Sequence, residues 1–294
     1  MRSATISAPA VPPNPSPLPE PPPGLWSAAF LQETLGLTRR LFIQLQRRPA
    51  TLVAGVIQPL MWLILFGALF QNAPAGLFGE GQNYARFLSA GIIVFTAFGG
   101  ALNAGLPLMF DREFGFLNRL LVAPLASRFS IVLASTLFIT TLALIQTAAI
   151  VLASDLLGGG LPNPAGLGLV VLVVLLLVLG MTALSLGLAF ALPGHVEMIA
   201  IIFVTNLPLL FASTALAPLA FMPPWLQWVA SLNPLSYAIE PIRYVYSHGQ
   251  WSLTSSILTA PWGEVGLGTA LAVLLGFDVL IMAGVRGLLQ RQLS

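Results

Sequence analysis

Six stretches of the chain are apolar for long enough to cross a bilayer. Crossing takes about 20 mostly apolar residues, at 1.5 Å each, over a hydrocarbon core of roughly 30 Å. The stretches fall at approximately 51–71, 86–109, 130–153, 165–190, 196–218 and 264–286, and each predicts a transmembrane helix. Between the fifth and sixth, residues 219–250 are apolar but interrupted by Pro223-Pro224, Pro234 and Pro241. Prolines at that density leave no full span. Trp225, Trp228, Tyr237 and Tyr244 favour the headgroup level, so short helices at or dipping into the membrane face are expected there.

Residues 25–48, ahead of the first span, have a helical rather than a uniform pattern. Trp26, Phe30, Leu37, Leu41 and Leu45 share one side, while Gln32, Arg39, Arg40, Gln46 and Arg47 share the other; Ile43 breaks the pattern and Pro49 ends it. A basic amphipathic helix of this kind lies in the interface plane, near anionic headgroups. Residues 1–24 are proline-rich (APAVPPNPSPLPEPPPG), which favours extended conformations, and they lack the apolar stretch of a signal peptide. The expected organisation is a disordered cytoplasmic tail (1–24), an amphipathic interfacial helix (25–48) and a transmembrane domain (49–294). The fold class is an all-α polytopic membrane protein with six transmembrane helices and short external re-entrant helices before the last.

Composition strengthens this reading. The chain is 57% hydrophobic and 7% charged, whereas soluble domains carry about 25% charged residues. Too few charges remain to cover a soluble surface. All twelve basic residues are Arg, with no Lys. With the N-terminus inside, Arg2, Arg39, Arg40, Arg47, Arg48, Arg112, Arg119, Arg128, Arg286 and Arg291 fall on one side, and Arg86 and Arg243 on the other. The positive-inside rule then puts both termini in the cytoplasm. The net charge of +2 does not indicate a nucleic-acid partner.

The same composition excludes chemistry. A phosphate-cradling GxxxxGK[ST] loop needs a lysine, so this chain cannot bind ATP in that way. Cysteine is absent, and His195 and His248 are too few and too far apart for a metal cluster. No GxSxG elbow occurs. No catalytic or metal site is expected. Only Asp278 lies well inside a predicted span, with Glu197 near the end of the fifth, which is thin support for a proton relay. The glycines within spans (Gly99-Gly100, Gly180, Gly187) suit close helix packing. A secondary transporter or channel is one reading of such a chain, and it predicts paired intramembrane charges or broken helices matched between two halves. A membrane-embedded enzyme would need clustered His, Asp or Glu at one level.

Two stretches carry more information. Between spans two and three, Asp111 to Arg128 reads DREFGFLNRLLVAPLASR. Phe114, Leu117 and Leu121 form one apolar face, Arg112, Glu113 and Arg119 surround it, Asp111 can cap the start and Pro124 stops the helix. An exposed amphipathic cytoplasmic helix serves either a protein contact or the membrane surface. On the external side, Asn233 to Val245 reads NPLSYAIEPIRYV. Glu240 and Arg243, at i and i+3, can pair locally, either as a structural pair or at a substrate contact.

Both stretches resemble segments of the type-2 ABC-transporter permease family, in particular the daunorubicin-resistance-like drug and lipid exporters. The run DRE-x-G-x-L-x-R-L-L-V-A-P, Asp111 to Pro124, is similar to the segment after that family's second span. The run Asn233, Pro234 through Tyr237 and Glu240 to Arg243 is similar to its motif before the last span. The resemblance covers roughly residues 25–294 and implies a permease of an exporter that moves an amphiphilic drug, lipid or lipid-linked glycan outward. It implies two copies of a separate ABC ATP-binding subunit, which hold the ATP and magnesium, and a second permease, identical or different. No cofactor is implied in this chain. Asp111–Pro124 would be the coupling helix that docks on the ATPase, and Asn233–Arg243 a re-entrant external gate. The resemblance places the protein in the cell's inner (plasma) membrane, multi-pass.

Overall fold

A computed structural model describes residues 27–70, 72, 84–116 and 129–293. The proline-rich tail and Leu117, Arg119 and Leu121 of the expected coupling helix lie outside the described residues. Ten helices are described: α1 (Ala28–Gln46), α2 (Pro49–Leu69), α3 (Tyr84–Leu102), α4 (Leu106–Glu113), α5 (Phe129–Leu156), α6 (Pro164–Ala191), α7 (His195–Phe211), α8 (Pro224–Leu232), α9 (Pro234–Ser247) and α10 (Leu267–Leu293). A 3-10 turn, Leu219–Phe221, precedes α8, and two strands, β1 (Ser256–Ala260) and β2 (Gly263–Gly266), precede α10.

Among the described residues, four segments are long and apolar enough to cross a membrane: Tyr84–Glu113, Phe129–Leu156, Pro164–Ala191 and Leu267–Arg286. The predicted first span lies in α2, 21 residues from Pro49 to Leu69, and the predicted fifth is a shorter apolar helix, His195–Phe211. The fifth stops seven residues early. Ala212 closes α7 onto the Pro208 carbonyl, Ser213 turns back to Leu210, and Pro218 follows. The protein is thus a mostly helical polytopic membrane protein whose apolar helices include the short α7.

The core is built on α3 and α6. Residues Leu88, Ile93, Val94 and Phe98 of α3, and Val173, Leu177, Val178 and Leu186 of α6, are buried. Both helices are packed on several sides: α3 contacts α2, α5, α6 and α9, while α6 contacts α3, α5, α9 and α10. Ser27 caps α1 by accepting from the Phe30 amide at 3.2 Å. The apolar side of α1 packs on its own chain: Phe30 is buried, and the Phe42 ring meets Phe138 of α5 edge-on at 5.0 Å.

Three sequence expectations are corrected. Pro49 does not end α1, which stops at Gln46; it opens α2, where a missing N–H has no consequence. Pro241 sits inside α9 without ending it. The all-α expectation misses the β1–β2 hairpin, which takes the first residues of the predicted last span, so that α10 starts at Leu267. Gly263 makes the hairpin turn at φ 134°, a region closed to other residues. Trp262 at the turn packs on Trp228 of α8, ring centroids 5.5 Å apart, an aromatic pair of the kind found at headgroup depth.

Candidate functional site

The two sequence motifs lie at opposite ends of the bundle, with α6 running between them. At its start, the Asn163 side chain donates to the Gly249 carbonyl at 2.6 Å, just beyond α9. At its end it meets Arg112. Twenty-eight residues at 1.5 Å each separate the two ends by roughly 42 Å.

The DRE run forms the last turn of α4 rather than the first turn of a new helix. Asp111 is therefore not a cap. The chain breaks at Asn103–Gly105 after α3, and α4 restarts with Pro107 in its first turn. This break is fastened to α6, because the Gly105 amide donates to Ser185 Oγ at 2.9 Å and that hydroxyl donates to the Leu102 carbonyl at 2.6 Å. Asp111, Arg112 and Glu113 then project from one turn in three directions, as successive helical positions 100° apart must.

Each charge meets a different element. Asp111 accepts from Arg40 Nη2 of α1 through both carboxylate oxygens, at 3.1 and 3.0 Å. Arg112 reaches the C-terminus of α6, donating from Nη1 to Ala189 (2.9 Å) and Phe190 (3.4 Å) and from Nη2 to Leu192 (2.6 Å) and Pro193 (2.8 Å). Those are carbonyls with no intrahelical partner, at the negative end of the helix dipole. Glu113 accepts from the His195 backbone amide at 2.6 Å and meets its Nδ1 at 2.5 Å, at the N-terminus of α7, where a carboxylate is favoured. The charges expected to ring an exposed surface are spent inside the chain. Phe114 is the opposite case, 80% exposed. Gly115, at φ 73°, turns the chain directly after it.

At the other end, α9 is buried on nearly every side. Asn233 caps it by accepting from the Leu235 amide at 2.9 Å, and its Nδ2 donates to the Leu209 and Ala212 carbonyls at 2.8 and 2.6 Å, tying α9 to the end of α7. Pro234 is the first residue of α9, and Tyr237 is buried. Glu240 and Arg243 form the ion pair that their spacing allows, with exposures of only 8% and 7%. Arg243 Nη2 also donates to the Thr214 carbonyl at 2.6 Å and Nε to that of Phe87 at 3.5 Å, and its guanidinium lies 3.7 Å from the centre of the Phe87 ring. Burial pulls the pKa of Arg243 below its ordinary value, and the Glu240 carboxylate pushes back. One buried cation thus joins α9, α3 and the turn after α7.

A family model described as ABC-2 type transporter matches residues 32–246, which include both motifs. The chain belongs to the ABC-2 type transporter family. Its relatives in that family include proteins named transport permease ycf38. That of Porphyra purpurea is 56% identical over 272 residues, covering 92% of this chain and 94% of the relative. That of Cyanophora paradoxa is 55% identical over 250 residues, covering 85% and 86%. The daunorubicin resistance ABC transporter permease protein DrrB1 of Streptomyces coeruleorubidus is 27% identical over 244 residues, covering 82% and 80%. This ABC-2 chain is a transport permease of the multi-pass membrane kind. Within the ABC-2 match, sequence reasoning left out Ser185 and Thr214 and gave Arg40 and His195 no long-range partner, because each acts on a residue distant in the chain.

Proposed function

We propose that this permease is the membrane half of an exporter, that a separate ABC ATP-binding subunit drives it, and that the partner docks at the end of α4. The supporting observation is the three-way attachment of one helical turn. A displacement at Asp111–Glu113 is carried to α1 through Arg40, to α6 through Arg112 and to α7 through His195. Phe114 stands outside this junction as an apolar handle, and further along the sequence Leu117 and Leu121 are apolar and Arg119 is charged.

In this reading, six helices cross the membrane, α2 and α7 included, and both termini are cytoplasmic in the inner (plasma) membrane. Two permeases assemble with two ATP-binding subunits, which hold the ATP and magnesium. The α9 segment closes the external end until movement of α7 and α3 loosens the Arg243 contacts. The substrate is an amphiphile of the drug, lipid or lipid-linked glycan class, moved outward. A vesicle transport assay with both subunits, run against a panel of these classes, tests the reading. Transport that proceeds without ATP or without the partner contradicts it.

A further inference from the structure

Among the described residues, α6 and α10 form the most extensive helix pair. They run side by side on a regular seam. A Cβ added at Gly180 would lie 1.9 Å from Asp278 Oδ1, and one added at Gly187 would lie 2.7 Å from Val285 Cγ2. Gly180 and Gly187 are one heptad apart, as are Asp278 and Val285, so the same face of each helix meets the same face of the other. Gly180 is therefore a slot shaped around a carboxyl group.

Among the described residues that carboxyl has no polar partner. Asp278 is 7% exposed, and among the described residues it makes no hydrogen bond or ion pair. It lies eleven residues into α10, which puts it roughly 16 Å along a helix crossing a core of about 30 Å, near the midplane. The charged and titratable groups of the neighbouring elements are elsewhere. Helix α6 has no titratable side chain along its length. On α9, Glu240 and Arg243 satisfy each other, and the phenols of Tyr237, Tyr244 and Tyr246 are not bonded to the carboxyl. Glu264 of β2 precedes α10, and Arg286 follows Asp278 by two turns. An isolated carboxylate at this depth has neither water nor a counter-charge, and such a group neutralises instead.

We propose that Asp278 is a proton-binding site: the α6–α10 seam closes on the neutral acid, and parting the helices lets water in and releases the proton. Closure takes up one proton, so acidic conditions favour the closed seam, and any step of transport that separates α6 from α10 is linked to pH. Proton binding at Asp278 does not depend on which partner drives the permease.

The chain has three aspartates, Asp111, Asp155 and Asp278. Asp111 is paired with Arg40, and Asp155 is exposed. Infrared spectra of the full-length chain in lipid vesicles, with and without carboxyl-labelled aspartate, therefore isolate these groups. The expected result at neutral pH is one isotope-shifted carbonyl stretch of a protonated acid, absent from Asp278→Asn, alongside two carboxylates. Three carboxylates and no protonated acid would overturn the proposal. Gly180→Ala gives a second reading without touching the acid. It should lower the unfolding temperature and remove the protonated signal, and adding Asp278→Ala should restore the temperature by emptying the slot. Gly180→Ala with wild-type stability and spectrum would show that the slot does not hold the carboxyl.

Discussion

The Arg112 guanidinium donates to the Leu192 carbonyl at 2.6 Å, closing the C-terminus of α6 from a helix that ends outside it. Net contributions of hydrogen bonds to charged groups are about 1.5–3 kcal/mol. Arg112→Ala should lower thermal stability by an amount of that order. Arg112→Lys should recover only part, because an ammonium cannot fork between four carbonyls. Thermal unfolding of the three proteins in lipid or detergent checks this, and full recovery by lysine would show that charge alone suffices.

The external pair behaves as a buried pair. An exposed pair contributes about 0.2–1 kcal/mol, but removing one partner of a buried pair costs on the order of 3–5 kcal/mol. Glu240→Ala and Arg243→Ala should both reduce folded permease sharply. Exchanging the two residues should not restore it. The exchange puts a carboxylate against the Thr214 and Phe87 carbonyls, which Arg243 now satisfies. The measurement is the folded fraction by size-exclusion fluorescence, and rescue by the exchange would contradict the described network.

Much of the fold was legible in the chain because its signals are local. The apolar stretches and the amphipathic α1 follow from neighbouring residues, and the i, i+3 spacing of Glu240 and Arg243 was enough to foresee their pairing. What could not be read was what each side chain meets across the bundle. Nothing near Asp111, Arg112 or Glu113 shows that they reach α1, α6 and α7, and a DRE run before apolar residues looks like an N-cap with flanking charges. Likewise Gly180 and Asp278 are each visible, but their contact needs α6 and α10 side by side. The β1–β2 hairpin was missed because strands of five and four residues are too short to stand out, and the second runs into the apolar stretch of the last span.

Sidedness is tested by reporters. Arg86 donates to the Gly159 carbonyl and Asn163 to that of Gly249, so residues 159 and 248 share one end of the bundle. Reporters at 159 and 248 should read outside, and reporters at Arg119 and Arg291 should read cytoplasm. A cytoplasmic signal at 248 would break the six-crossing topology.

The junction and the handle have separable roles, and this is the account's central claim. Burying a phenylalanine side chain contributes about 1.5–3 kcal/mol, which is roughly ten- to a hundredfold in affinity. The direct measurement is capture of the ATP-binding subunit by Phe114→Glu and Arg112→Ala permeases at matched membrane levels, with transport assayed in parallel. Phe114→Glu is predicted to lose capture and transport while inserting normally, and Arg112→Ala to keep most capture while losing transport. Wild-type capture and transport by Phe114→Glu would contradict the claim.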